Sequence, residues 1–183
     1  MRLIQSAAVT LGLALVALPA GAAIKAMTLA ELMQITTDVV HVKILEKSTF
    51  RLDWPFDGCV YTKLSVEGES LRTLQPVATD LVFLGSHEAK DDFRVSEMPT
   101  PQDTRAGGEA VIFYFKDPDM PGAFKNRIFG LDGVYRLEQA FGAPVVVGKG
   151  EGFAFPENRK LADVRSAVRA THLELAAKAQ AGK

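Results

Sequence analysis

Apolar and polar side chains alternate along most of the chain between residues 39 and 147, and the alternation predicts strands. Val40, Val42 and Ile44 share one face against His41, Lys43 and Leu45, so a half-buried strand begins near Val39 and extends toward Leu52. Asp53-Trp54-Pro55-Phe56-Asp57-Gly58 punctuates it with turn residues. From Cys59 to Glu67, Val60, Thr62, Leu64 and Val66 then oppose Tyr61, Lys63, Ser65 and Glu67. The two segments read as a hairpin with a long loop. Val77–Leu84 is more apolar and predicts a more central third strand; Phe93-Arg94-Val95 predicts a short fourth. Ala110-Val111-Ile112-Phe113-Tyr114-Phe115 is the strongest strand pattern, with Phe113 and Phe115 assigned to the core. Ile128–Leu131 and Val134–Leu137 flank Asp132-Gly133 as a hairpin or a bulged strand, and Ala143–Val147 is the last strand.

The period changes at both ends. Thr28 and Glu31 have capping-box spacing ahead of Leu29, Leu32 and Met33, predicting a helix over about 28–36. After Asn158, the expected N-cap, Leu161, Val164, Val168 and Leu175 recur at helical spacing among charged residues. They predict an amphipathic helix over about 159–177. The expected fold is mainly β: a small closed or partly open β-barrel of OB or netrin-like type, in one domain over 24–180, with a short N-terminal and an amphipathic C-terminal helix. Ahead of it, Arg2, the apolar run Ala7–Pro19 and the small residues Ala20-Gly21-Ala22-Ala23 have the order of a secretory signal peptide, cleaved after Ala22 or Ala23. The run is shorter than the ~20 residues a membrane span needs. The expectation is therefore an exported, periplasmic or secreted domain with no membrane span after cleavage.

Composition narrows the function. The 21 basic and 22 acidic residues give a net charge of −1, and loss of Arg2 makes it −2, with no basic excess of the kind nucleic acid requires. The single cysteine, Cys59, rules out an internal disulfide; it reads as a small hydrophobe buried in a strand, with an intermolecular disulfide or a reactive thiol as sharper alternatives.

Three segments resemble a known family. Thr37-Asp38-Val39-Val40-His41-Val42-Lys43-Ile44-Leu45-Glu46-Lys47-Ser48 is similar to the first strand of netrin-like domains, the OB-type barrel of tissue metalloprotease inhibitors. Gly108–Phe115 and Gly130–Leu137 are similar to later strands of secreted bacterial proteins. The resemblance spans 37–137 and implies the barrel. It does not imply protease inhibition, because the inhibitors chelate zinc through an N-terminal cysteine that this sequence lacks, and no functional residue carries over.

Candidate chemistry is sparse. His41, His87 and His172 have no metal-binding spacing. His87 and Glu88 with Asp91 and Asp92 form the densest polar cluster, the seat of an alternative reading as a periplasmic hydrolase or metal-dependent enzyme. Gly148-Lys149-Gly150-Glu151-Gly152 reads as a flexible turn, since no helix opens within it. Trp54 and Phe56 beside Pro55, together with His87, Arg94 and Arg136, are the interaction candidates. The favoured expectation is a non-catalytic binding or interaction module for a protein or small ligand, with no cofactor, no metal and no assigned catalytic residue; a structural envelope component is the third reading.

Overall fold

A computed structural model describes residues 27–52, 58–140 and 142–182. The signal-peptide segment, Trp54, Phe56 and Phe141 lie outside the described residues. The chain is mainly β. Helix α1 (Leu29–Ile35) leads into β1 (Asp38–Arg51), β2 (Val60–Ser70), β3 (Pro76–Leu84), β4 (Glu109–Lys116), β5 (Asn126–Ile128), β6 (Val134–Ala140), β7 (Ala143–Val146) and β8 (Arg159–Lys160). Helix α2 (Leu161–Ala181) closes the chain.

The long first strand makes the barrel. From Val40 onward β1 pairs antiparallel with β2 at every residue but Leu45, while residues 38–43 also pair with β4 on the other edge. The circuit β1-β2-β3-β5-β4-β1 closes through an antiparallel β4–β5 pairing and a parallel β3–β5 contact. A closed sheet needs coiled strands. β1 supplies the coil with a register shift at Leu45, where Ile44 pairs with Val66 but Glu46 pairs with Ser65. Gly68 faces Val42 across the same ladder.

Alternation sorts the strands into an interior and an outer face. Val40, Val42, Ile44, Leu64, Val66, Leu81, Phe83, Ala110, Ile112 and Tyr114 fill the interior. On the outer side Val39, Val111, Phe113 and Tyr135 pack against Leu32 and Met33 of α1 and Leu161, Val164 and Val168 of α2. Each fully buried aliphatic side chain there contributes roughly 2 kcal/mol of burial. The Thr28–Glu31 capping box starts α1 as predicted. Its C-terminal end is tied from a distance: Arg72 donates from Nη2 to the carbonyls of Met33 at 2.7 Å and Thr36 at 3.0 Å.

Several sequence expectations are corrected. α2 runs from Leu161 to Ala181; the preceding position is Lys160 without a side-chain cap, and Asn158 instead accepts the Gly148 N–H at 2.9 Å. Phe93-Arg94-Val95 is not a strand: only Phe93 bridges, to Ser86. Asp132-Gly133 does not turn a hairpin. A 3-10 turn at Leu131–Gly133 separates β5 from β6, and both lie along the same edge of β4 as one interrupted strand. Tyr114, not Phe115, is the second buried aromatic of β4, because both faces of that strand are covered. β3 does lie between β2 and β5, but β5 meets it at one residue pair. Leu81, Val82 and Phe83 are apolar together because a loop covers the outside of the strand. Cys59 precedes β2 rather than lying within it and is half-buried. Leu74, at the β2–β3 turn, holds φ 60 and is exposed, a conformation that L-residues with side chains rarely adopt.

Candidate binding face around the β4–β5 loop

The loop after β4 is built by its turn residues. Asp117-Pro118-Asp119-Met120-Pro121-Gly122 folds back so that Asp117 Oδ1 accepts the Asp119 N–H at 3.0 Å and the Asp117 N–H reaches the Lys125 carbonyl at 2.7 Å. The other carboxylate oxygen takes Arg127 Nη1 at 2.7 Å, and the Arg127 guanidinium lies 5.7 Å over the Phe115 ring. This clamp aims Met120 inward, where it is 1 % exposed against Tyr61 and Val82. Phe124 follows and stacks on Phe50 with ring centroids 4.3 Å apart; Phe50 in turn stacks on Tyr61 at 5.7 Å. The loop thus roofs the outer face of β2 and β3 with an aromatic stack joined to β1.

Burial opposes ionisation of Asp117, but the Arg127 hydrogen bond and the N–H groups of Asp119 and Met120 outweigh it and hold the carboxyl below its usual 3.8. The folded-state pKa is depressed, so the stabilisation is present above the unfolded value and is lost as pH falls through the folded one. Asp117→Asn should cost about 1–2 kcal/mol at pH 7, and the deficit should shrink when urea unfolding is repeated below pH 3.

The other side of the loop is open. A cleft of about 570 Å3 lies between the loop and the barrel, lined by Thr79, Asp80, Lys116, Gly122, Lys125 and Asn126. Asn126 Nδ2 donates to Thr79 Oγ1 at 3.0 Å and fixes its floor. Asp80 is already engaged, by Ser65 Oγ at 2.6 Å and Lys63 Nζ at 3.6 Å. Lys116 and Lys125 are exposed and make no ion pair with a described residue. The cleft is therefore a polar slot with two uncompensated cations at its rim.

Two further charged clusters are held by their own ion pairs, although the buried Arg165 Nε has no hydrogen-bond partner among the described residues. On the outer face of β1, His41 Nε2 donates to Glu109 at 3.1 Å, and Nδ1 accepts from Arg165 Nη2 of α2 at 3.2 Å; Arg165 also bridges to Glu69. These residues edge a groove of about 460 Å3 floored by Gly68. With both ring nitrogens engaged, His41 is a latch between barrel and helix and has no free nitrogen for a ligand or for proton abstraction. Behind β6, the 2 % exposed carboxylate of Asp103 receives Thr100 Oγ1 at 2.8 Å, Arg136 Nη1 at 3.3 Å and Lys149 Nζ at 3.4 Å. Lys149 also donates to the Leu131 carbonyl at 2.7 Å.

The residues singled out by sequence are scattered. His87 Nε2 donates to the Pro99 carbonyl at 3.1 Å. Its expected partners look elsewhere: Asp91 accepts from Thr49 Oγ1 at 2.9 Å and Arg51 Nη2 at 3.4 Å, and Glu88 pairs with Lys90 at 3.7 Å. Arg94 pairs with Asp92 two residues away in open solvent. Arg136 belongs to the Asp103 cluster. Among the described residues no group of three or more His, Cys, Asp or Glu side chains is placed to hold a metal ion, and no helix is long and apolar enough to cross a membrane. Sequence reasoning missed Phe50, Phe124, Lys116 and Lys125. The one available signal was the Pro118–Pro121–Gly122 punctuation, which marks a loop that bends back on its own sheet. It also took Lys149 as part of a flexible turn, although its ammonium is buried.

No family model matches the chain, and neither a curated protein nor a solved structure is significantly similar to it.

Proposed function

We propose that this chain is an exported, non-catalytic binding module of OB type that takes its partner at the β4–β5 loop. The strand circuit β1-β2-β3-β5-β4-β1, with its parallel β3–β5 closure, supports the OB-type assignment, and barrels of that type bind through the β2–β3 face and the loops at its margin. The netrin-like resemblance of residues 37–137 belongs to the same reading. Export rests on the order of residues 2–23: one positive charge, a short apolar run, then small residues. Fold alone does not assign a function. The observation that carries binding is the cleft itself, a polar slot beside the β4–β5 loop with two unpaired cations at its rim. His41 and His87, by contrast, already have partners that hold the structure together.

A photo-crosslinking residue placed at Lys125 should give one discrete adduct in the native cell envelope, while the same residue at exposed Glu151 should give none. Equal labelling from both positions, or none from Lys125, would overturn the reading.

A further inference from the structure

The barrel is incompletely zipped along one seam. Hydrogen bonds from Gly85 N to the Val60 carbonyl at 2.8 Å and from Ser70 N to the Gln75 carbonyl at 2.9 Å fix the phase of the β2–β3 ladder. In that phase the odd-numbered residues Val77, Thr79, Leu81 and Phe83 direct their backbone groups to β2. Ala78, Asp80 and Val82 direct theirs to the opposite edge. On that edge β5 meets β3 at one residue pair, Val82 with Arg127. Among the described residues no backbone bond outside the ladders reaches Ala78 or Asp80. A 3.4 Å bond from Thr79 Oγ1 reaches the Asp80 carbonyl. Ala78 is exposed, and the 570 Å3 cleft opens beside this edge. Pro76, which has no N–H to offer, ends the free stretch.

We propose that the free edge of β3 at Ala78 and Asp80 is a strand-addition site for an extended acidic peptide, whose main chain pairs with those two residues and whose carboxylates meet Lys116 and Lys125. This inference rests on the binding-module reading and names the partner class for the same site. An unpaired edge is a template for another strand, and natural sheets usually cover or charge it. Here the strand is blunted by Pro76 and by Asp80, whose carboxylate is paired, while the cations beside it sit on β4 and the β4–β5 loop. Main-chain bonds supply the affinity in this mode and are tolerant of sequence; side chains at alternate positions supply selectivity. Asp80 does not repel the peptide by itself, because Lys63 and Ser65 hold its carboxylate on the outer face of β2–β3. With Asp80 paired, the remaining charge along the cleft is positive, so the peptide that fits carries acidic residues at every second position.

The probe is an acetylated, amidated seven-residue peptide, Thr-Glu-Val-Glu-Val-Glu-Thr, with the Lys-for-Glu peptide as control, added to the isotope-labelled mature chain. The acidic peptide should shift the amide resonances of Ala78 and Asp80 and slow their hydrogen exchange at least tenfold; the lysine peptide should not. The double variant Lys116→Glu/Lys125→Glu should weaken binding at least tenfold, and Ala78→Pro should abolish it. If Ala78→Pro does not fold, the amide shifts and the charge reversal decide. Amides of Ala78 and Asp80 unmoved at millimolar acidic peptide overturn the proposal. So do shifts confined to Lys116 and Lys125, which dextran sulfate would then reproduce, because charge alone would be holding the anion. If the Lys125 crosslink forms in the envelope and the acidic peptide neither binds nor competes with it, the strand-addition site fails while the binding module stands.

Discussion

Gly68→Ala should destabilise the protein by about 3 kcal/mol or more, lowering its melting temperature by about 10 °C. A Cβ at this position would lie 2.0 Å from the His41 carbonyl oxygen and 2.7 Å from the Val42 Cα. Both obstacles are backbone, and both belong to the β1 segment that pairs with β2 and β4 at once. No side-chain rotation can relieve the contact, so the ladder itself must part. Gly68 is not required for a left-handed φ; it is required for close approach, as expected where a small barrel coils sharply. Glu67→Ala, one residue earlier and exposed, should change stability by no more than about 0.5 kcal/mol. Urea unfolding of the two variants provides the comparison. A Gly68→Ala loss below 1 kcal/mol would show that the strands have room to separate.

The same glycine shows where legibility ended. Most of the strand and helix inventory was readable because binary patterning is local: Val40, Val42 and Ile44 do face the interior, and the Thr28–Glu31 box does start α1. Long-range pairing was not. Nothing near Gly68 in sequence says that it opposes Val42. Nothing near Ile128 says that β5 and β6 share an edge of β4. Continuous apolarity was ambiguous for the same reason. Leu81-Val82-Phe83 reads as a central strand, and β3 does lie between β2 and β5, but β5 meets it at one residue pair and its double burial comes from Met120, nearly forty residues away. At the candidate site the sequence identified the loop and not its content. Phe124 and Lys125 gain meaning only when the loop folds back against Phe50 and the β3 edge. His87 misled in the opposite direction. A histidine beside Glu88 and Asp91 resembles an acid–base cluster on paper, but each side chain turns to a different neighbour.

Asp103→Ala should cost about 3–5 kcal/mol, the loss typical of removing one partner from a buried ion pair. The carboxylate is 2 % exposed and Lys149 is 11 % exposed, so neither can turn to water in place. Arg136, at 30 % exposed, keeps Glu138 at 2.9 Å. Lys149 keeps only the Leu131 carbonyl, the face of the Tyr135 ring 5.3 Å away, and the charge of Asp132, whose own pKa burial raises. Its ammonium would be stranded. Burial already lowers the Lys149 pKa from 10.5, with Asp103 opposing the shift, so removing Asp103 should lower it further. A lysine with a depressed folded-state pKa binds fewer protons folded than unfolded between the two values, so stability rises with pH across that window. The Asp103→Ala deficit should therefore be larger at pH 7 than at pH 9.5. The double variant Asp103→Leu/Lys149→Met removes both charges and fills the space. It should recover to within about 1.5 kcal/mol of the parent and lose the pH dependence. Urea unfolding of the three proteins at both pH values tests the account. A double variant as unstable as Asp103→Ala, with the same pH dependence, would mean that the cluster holds its three loops by shape rather than by charge.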